Sequence, residues 1–311
     1  MKKILVCQNS RVECVNYLRS LGYEVKYQSS KDENIVCNEI SDCVAFLAGD
    51  TYVGKKIMQS GKNLKVISKP SVGVDLVDLE AAKQLGIRVT NAQGGNSDST
   101  AEHTMALLLA LSKNLVNMDS YTREGLWYRE KYYSDKIKGK TLGLVGFGNI
   151  GSRVAKMAKF GFDMNIICYD NYAKDIPEYV TFVSSLEEVL TSSDYVSLHV
   201  PLTDETKYLI NKDNLKLMKS SACIINCARV GVINENDLYD ALYNNVIKAA
   251  ALDTYEVEPC EKDNKLFTLN NVIVSPHNGA FSEQTIIDSW MQAAYGAVMV
   301  LEKKECPYLV V

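Results

Sequence analysis

The sequence has no basic excess, no long apolar run and no paired cysteines, and each absence removes a class of protein. Against 34 Lys and Arg stand 38 Asp and Glu, a net charge of −4, with a pI near 5.6. That balance gives no basic footprint for nucleic acid. The longest helical apolar run, MALLLAL at residues 105–111, falls far short of the ~20 residues that span a bilayer, so no membrane partner is expected. At the amino terminus, MKKILVCQNSRVE offers an apolar run only at residues 4–7, against the roughly 7–15 residues of a signal peptide. A cytoplasmic location with reduced thiols is the expectation. Nine cysteines are scattered without a CxxC pair, and Cys223 and Cys227, in an apolar run, read as buried thiols rather than metal ligands. No metal is expected.

What is present is the pattern of an ordinary globular protein, with 47% hydrophobic and 23% charged residues. A length of 311 residues exceeds the usual size of one core, so two domains are expected. Short apolar runs alternate with helix-period segments. Strands are predicted at residues 2–8, 43–49, 65–69 and 87–91, then in a second series near 141–146, 164–170, 195–200, 222–227, 247–253 and 271–275. Such alternation predicts an α/β fold of two doubly wound parallel sheets covered by helices. A helix over residues 102–116 is apolar on most sides and should be buried between domains or subunits. A final helix, from Ser282 to about Leu301, follows completion of the second sheet and could pack back on the first domain; Ser282 is its N-cap.

The stretch LGLVGFGNIGSRVAKMAKFG, residues 142–161, contains GxGxxG as Gly146, Gly148 and Gly151. Alone the triplet is weak, but here a strand precedes it, a helix follows it and MNIICYD supplies the next strand. In that frame Gly146 permits the tight turn, Gly148 lets backbone approach a pyrophosphate and Gly151 allows close helix–strand packing. The helix N-terminus, open at Asn149 and Ile150, then faces the phosphates, and Gly161 is expected to stop the helix. Asp170 ends the second strand nineteen residues past Gly151. An acid there accepts hydrogen bonds from the adenosine ribose hydroxyls and repels a 2′-phosphate, so NAD is the expected cofactor.

Three later segments place polar side chains just beyond strand ends, where open α/β sheets bind ligands. NCARVG offers Arg229, able to grip a carboxylate bidentately and polarise the neighbouring carbonyl. ALDTYEVEP carries Asp253 and Glu258, and SPHNGAF carries His277. A histidine paired with a carboxylate is the usual general acid/base arrangement. Spacing alone does not bring Glu258 to His277.

The segments SVGVDLVDLEAA, NAQGGNSDSTAEHT, KTLGLVGFGNIG, LHVPLTDETKYLI, NCARVGVINENDL, ALDTYEVEP and SPHNGAFSEQT resemble the D-isomer-specific 2-hydroxyacid dehydrogenase family, in its order and spacing, over essentially the whole chain. The resemblance implies an NAD-dependent oxidoreductase interconverting a 2-keto acid and its (R)-2-hydroxy acid, commonly as a homodimer. A Rossmann cofactor domain, residues 97–282, would be inserted in a flavodoxin-like substrate domain, residues 1–96 and 283–311. Arg229 would bind the substrate carboxylate, His277 would be the acid/base and Glu258 its support. Lys69, Val72, Gly73 and Asn96 would complete the substrate site. Asp253 would hold the nicotinamide amide, Val200 and Pro201 would wall the adenine, and Cys227 would join the cofactor site. Formate-oxidising relatives carry Gln at the Glu258 position, which argues against that activity. His103 and His199 also match family positions and are read as structural.

Within the family the likeness is to short phosphoglycerate dehydrogenases without a C-terminal regulatory domain, through GVDLVDLEAA, GGNS and NCARVG. Two positions depart from them. Lys69 stands where a phosphate-binding arginine is usual, and Gln93 replaces the proline of their NTPGGN stretch. Glycerate, glyoxylate or lactate-type acids are the alternative substrates. A NAD-sensing binding protein, like the transcriptional corepressors on this fold, is the alternative of another class, because those proteins keep the same triad. The lack of long disordered extensions weighs against it.

Overall fold

The computed structural model describes residues 1–127 and 133–311. They fall into two compact units, Met1–Asn96 with Phe281–Val311, and Ser97–Ala280.

The first unit is built on five parallel strands: β1 (Lys3–Val6), β2 (Glu24–Tyr27), β3 (Cys43–Leu47), β4 (Val66–Lys69) and β5 (Arg88–Asn91). Their order is β2-β1-β3-β4-β5. Ile4, Leu5, Val6, Phe46, Leu47 and Ile67 are fully buried, as expected of strands covered on both faces. Each such side chain contributes about 1.5–3 kcal/mol by leaving water. The helix Glu283–Leu301 starts where Ser282 accepts the Thr285 N–H and packs on this unit's sheet. Its seam is small: Ala293, Ala294 and Ala297 are fully buried, and a Cβ at Gly296 would come within 2.9 Å of Thr90 Oγ1. Buried polar groups are matched at this seam, with Thr90 donating to Ser68 and Ser68 to the Ala293 carbonyl.

Two features of this unit were not anticipated. Strand β2 has no fully buried residue, so it left no apolar run to read. The chain's last residues return antiparallel along β5, with Thr90 opposite Leu309 and Val310 N–H bonded to the Val89 carbonyl. That pairing covers an otherwise open sheet edge.

The second unit holds seven parallel strands: β6 (Thr141–Val145), β7 (Asn165–Tyr169), β8 (Val180–Phe182), β9 (Tyr195–Leu198), β10 (Cys223–Asn226), β11 (Ala249–Leu252) and β12 (Val272–Val274). The order β12-β11-β10-β9-β6-β7-β8 runs outward in both directions from β6 and β9. The topological switch point of a dinucleotide fold therefore lies between those two strands. The unpredicted β8 is again an edge strand, with two of its three residues exposed.

Two local expectations are corrected. The apolar helix runs over Ser97–Lys113 and breaks at Asn114, whose φ of 52° is left-handed; a second helix, Leu115–Arg123, follows. Met105, Leu107 and Leu108 are buried in this unit's own core, while Ala106 is exposed and Leu109, Ala110 and Leu111 are half-buried. Gly161 does not stop its helix, which runs over Asn149–Phe162 and ends at Asp163, in the left-handed region with φ 54°. An Asp tolerates that conformation because its short polar side chain bonds locally.

Candidate functional site

The sequence-predicted residues of the second unit all lie beyond the carboxyl ends of its parallel strands and follow the strand order. Asp170 follows β7, the glycine turn follows β6, and Val200 and Pro201 follow β9. Cys227 and Arg229 follow β10, Asp253 and Glu258 follow β11, and His277 follows β12. Five strand spacings separate β7 from β12, about 24 Å along the rim, so one extended ligand could run past all of them.

The glycine turn has the shape its sequence called for. Gly146 has φ 99°, and a Cβ there would come within 2.8 Å of the His199 carbonyl carbon and oxygen. A Cβ at Gly151 would overlap the Gly146 carbonyl, while one at Gly148 would meet open space. Gly148 is the N-cap of the helix Asn149–Phe162, and no side chain caps that end. Uncapped N–H groups beside open space at a 14-residue helix fit a diphosphate. Asp170 ties this turn to the next strand: one oxygen accepts the Phe147 N–H at 2.7 Å, and the other accepts those of Tyr172 and Ala173. Val200 is half-buried beside Gly146 and Pro201 is exposed. Cys227 is buried, and burial pushes its thiol up to about 12. His199 is half-buried with Nε2 2.9 Å from Ser197 Oγ, and loss of hydration at the ring lowers its pKa to about 4. Its ring is therefore neutral at pH 7.

Arg229 is half-buried. Its Nη1 donates to the Ala228 carbonyl at 2.8 Å, and no described carboxylate pairs with it. Asn226 shapes the turn, accepting the Ala228 N–H and donating to the Arg229 carbonyl. The result is a guanidinium at the end of a buried strand with most of its donors available.

The structure brings Glu258 to His277. Glu258 Oε2 lies 2.7 Å from His277 Nδ1, and its Oε1 accepts the Tyr255 N–H at 3.1 Å. Tyr255 binds both segments, since its buried hydroxyl donates to the Ser275 carbonyl at 2.8 Å and accepts from Ser275 N. Burial pushes this phenol's pKa upward, so it stays protonated. Among the described residues Nε2 of His277 has no partner. A cavity of about 550 Å³, walled by Pro259, Cys260, Phe267, Val274 and Pro276, flanks the pair.

Asp253 is 1% exposed. Burial alone would raise its pKa, but hydrogen bonds from His103, Ser275 and the backbone of Asn278 and Gly279 outweigh that and hold it below the usual carboxylate range. Tyr255 and Ser275 went unnoticed in the sequence. Their positions, two residues after Asp253 and two before His277, were the available signal.

The other predicted substrate residues lie in the first unit. Val72 and Gly73 sit in a turn fixed by Asn91 donating to the Val72 carbonyl and Ser71 to the Gly73 carbonyl, and their own N–H groups have no described partner. Asn96 is half-buried. Lys69 is 2% exposed; its ammonium donates to the Ala48 and Gly49 carbonyls, and burial lowers its pKa. No cluster of His, Cys, Asp or Glu among the described residues could hold a metal ion, and no described helix is long and apolar enough to cross a membrane.

Residues 105–279 match the model of the D-isomer specific 2-hydroxyacid dehydrogenase NAD binding domain. The chain is 40% identical to D-3-phosphoglycerate dehydrogenase of Methanocaldococcus jannaschii over 98% of its own length and 57% of that protein's. It therefore spans a little over half the length of that relative. It is also 40% identical to hydroxypyruvate reductase of Thermotoga maritima, over 74% of this chain and 75% of that one. Among solved structures the TT0316 protein of Thermus thermophilus superposes with a TM-score of 0.90 at 35% identity, covering 99% of this chain and all of that one. The chain belongs to the D-isomer specific 2-hydroxyacid dehydrogenase family, and residues 105–279 are its NAD binding domain.

Proposed function

We propose that the protein interconverts a small 2-keto acid and its (R)-2-hydroxy acid with NAD(H). The observation that carries the reading is the His277–Glu258 pair, with a free Nε2, on the same rim as an unpaired Arg229 and the uncapped glycine turn. When bound, the nicotinamide supplies or accepts a hydride. Gly146, Gly148, Asn149, Ile150 and Gly151 would hold its diphosphate, Asp170 the ribose, Val200 and Pro201 the adenine, and Cys227 and Asp253 the nicotinamide end. Arg229 grips the substrate carboxylate and polarises the carbonyl. His277 delivers a proton from Nε2 to the carbonyl oxygen in reduction and takes it back in oxidation. Glu258 fixes the ring through Nδ1 and stabilises the imidazolium. Val72 and Gly73 would offer free N–H groups to the carboxylate, and Asn96 would join them in the substrate site. The residues at 1–96 and 283–311 act as the substrate domain.

Relatives named as phosphoglycerate dehydrogenases favour 3-phosphohydroxypyruvate as the keto acid. One observation favours a smaller acid such as hydroxypyruvate or glyoxylate: Lys69, the candidate phosphate ligand, already spends two donors on backbone carbonyls. Comparing kcat/KM for the phosphorylated and unphosphorylated acids decides between them. A homodimer in the cytoplasm completes the reading. The helix Leu115–Arg123, with no buried residue and with Leu115 and Val116 exposed, is the surface that supports a dimer contact. Nine free cysteines support a reducing compartment. Sedimentation of wild type and Leu115→Glu tests the contact.

A further inference from the structure

We infer that His103 and Ser275 are positioning residues for the acid/base, acting through Asp253. The inference rests on the reading of His277 as the proton donor. His277 has φ 50°, a left-handed conformation that costs a non-glycine residue about 1–3 kcal/mol and persists only where its surroundings enforce it. One buried carboxylate does so from both sides. Asp253 Oδ1 accepts the Asn278 N–H and Oδ2 the Gly279 N–H, each at 2.8 Å. On the other side of His277, Ser275 Oγ donates to Asp253 Oδ1 at 2.6 Å.

His103 closes the network from the helix Ser97–Lys113. Its Nε2 is 3.0 Å from Ser275 Oγ and 3.4 Å from Asp253 Oδ1. Ser275 has one hydroxyl proton, and it is given to Asp253. The His103–Ser275 bond therefore needs its proton from His103 Nε2, which fixes this histidine as a donor. A Cβ at Gly279 would come within 3.0 Å of Asp253 Oδ2 and 3.5 Å of His103 Cδ2, so the cluster has no slack for a side chain there. Removing the His103 donor leaves the buried Asp253 carboxylate and the half-buried Ser275 hydroxyl underbonded, and the segment 275–279, strained at His277, loses the anchor that aims it.

The chain has three histidines, so histidine-selective isotope labelling gives three ring signals, assigned by single substitution. In His103→Leu the His277 signal should move or broaden while that of His199 stays in place. The kcat should fall by about 10- to 100-fold, as a misaimed donor requires, and more than KM for NADH rises. Ser275→Ala should reproduce both changes. His103→Gln, which keeps a donor, should return kcat to within about threefold of wild type. A His277 signal unmoved in Ser275→Ala and His103→Leu, or a His103→Gln as impaired as the leucine variant, would overturn the inference. If His103→Leu does not fold, Ser275→Ala and His103→Gln decide. Should wild type reduce no keto acid, the dehydrogenase reading fails, and the ring signals still report on the positioning.

Discussion

Glu258 Oε2 stands 2.7 Å from His277 Nδ1, while Glu258 Oε1 is held by the Tyr255 N–H. The carboxylate is thus oriented before it orients the imidazole, and the free nitrogen of the ring is the one that can serve a substrate. Reduction needs a proton on that nitrogen and oxidation needs it vacant. The kcat/KM for keto-acid reduction should fall as pH rises, and that for hydroxy-acid oxidation should rise. Glu258→Gln keeps the shape and removes the charge, and should lower turnover by about 100-fold with NADH still bound. Parallel profiles in the two directions would remove His277 from the role.

Arg229 has no described carboxylate partner, so its charge is available to a ligand. Arg229→Lys keeps the charge but loses the planar fork, and kcat/KM should drop by about 100-fold or more. Binding of NADH, followed by fluorescence, should barely change. Near-normal turnover in this variant would place the carboxylate anchor elsewhere.

Cofactor choice rests on Asp170. Wild type should prefer NADH over NADPH by at least about tenfold, about 1.4 kcal/mol. Asp170→Ala should narrow the gap, measured as the ratio of kcat/KM values. The variant should also lose some stability, because the same carboxylate accepts N–H groups from Phe147, Tyr172 and Ala173. Equal efficiency of wild type with both cofactors would refute the assignment.

The glycines should separate folding from binding. A Cβ at Gly148 meets open space and one at Gly151 meets the Gly146 carbonyl. Gly148→Ala should leave the Tm nearly unchanged and weaken NADH about tenfold or more, whereas Gly151→Ala should lower the Tm itself. The reverse pattern in calorimetry and titration would mean the turn is not a diphosphate cradle.

His199 gives a pH dependence of stability. Loss of hydration at the ring sets its folded pKa near 4, below the unfolded value of about 6.5, so the unfolded chain binds the proton first. Its neutral form is fully accommodated above about pH 6.5, and stability is lost as pH falls from there toward 4, by about 2 kcal/mol at pH 5. Urea unfolding at pH 5 and 7 should show a smaller difference in His199→Gln than in wild type. An identical difference would show that His199 does not titrate as a desolvated group.

Much of this was legible in the sequence because covered parallel strands are near-continuous apolar runs and glycines mark turns. The glycine cradle, Asp170 at a strand end and the strand-end positions of Arg229 and His277 all follow from those signals. What was hidden has physical reasons. Strands β2 and β8 lie at sheet edges and bury little. The tail pairing at Thr90 and Leu309 depends on closure between distant parts of the chain. Lys69 entered the substrate set through the family resemblance, as the residue standing where a phosphate-binding arginine is usual; only the fold shows two carbonyls taking its donors. The links from Glu258 to His277 and from His103 to Asp253 span 19 and 150 residues, beyond the reach of local pattern.

The central claim is that NADH held on this rim gives a hydride to a keto acid, with His277 supplying the proton. It is tested most directly by following NADH absorbance with 3-phosphohydroxypyruvate, hydroxypyruvate, glyoxylate and pyruvate, for wild type and His277→Ala. The account predicts that wild type oxidises NADH with at least one of these acids, giving the (R)-hydroxy acid where the product is chiral. His277→Ala should bind NADH and turn over negligibly. A wild type that binds NADH and consumes none with any of the four acids would contradict it and leave a dinucleotide-sensing protein in its place.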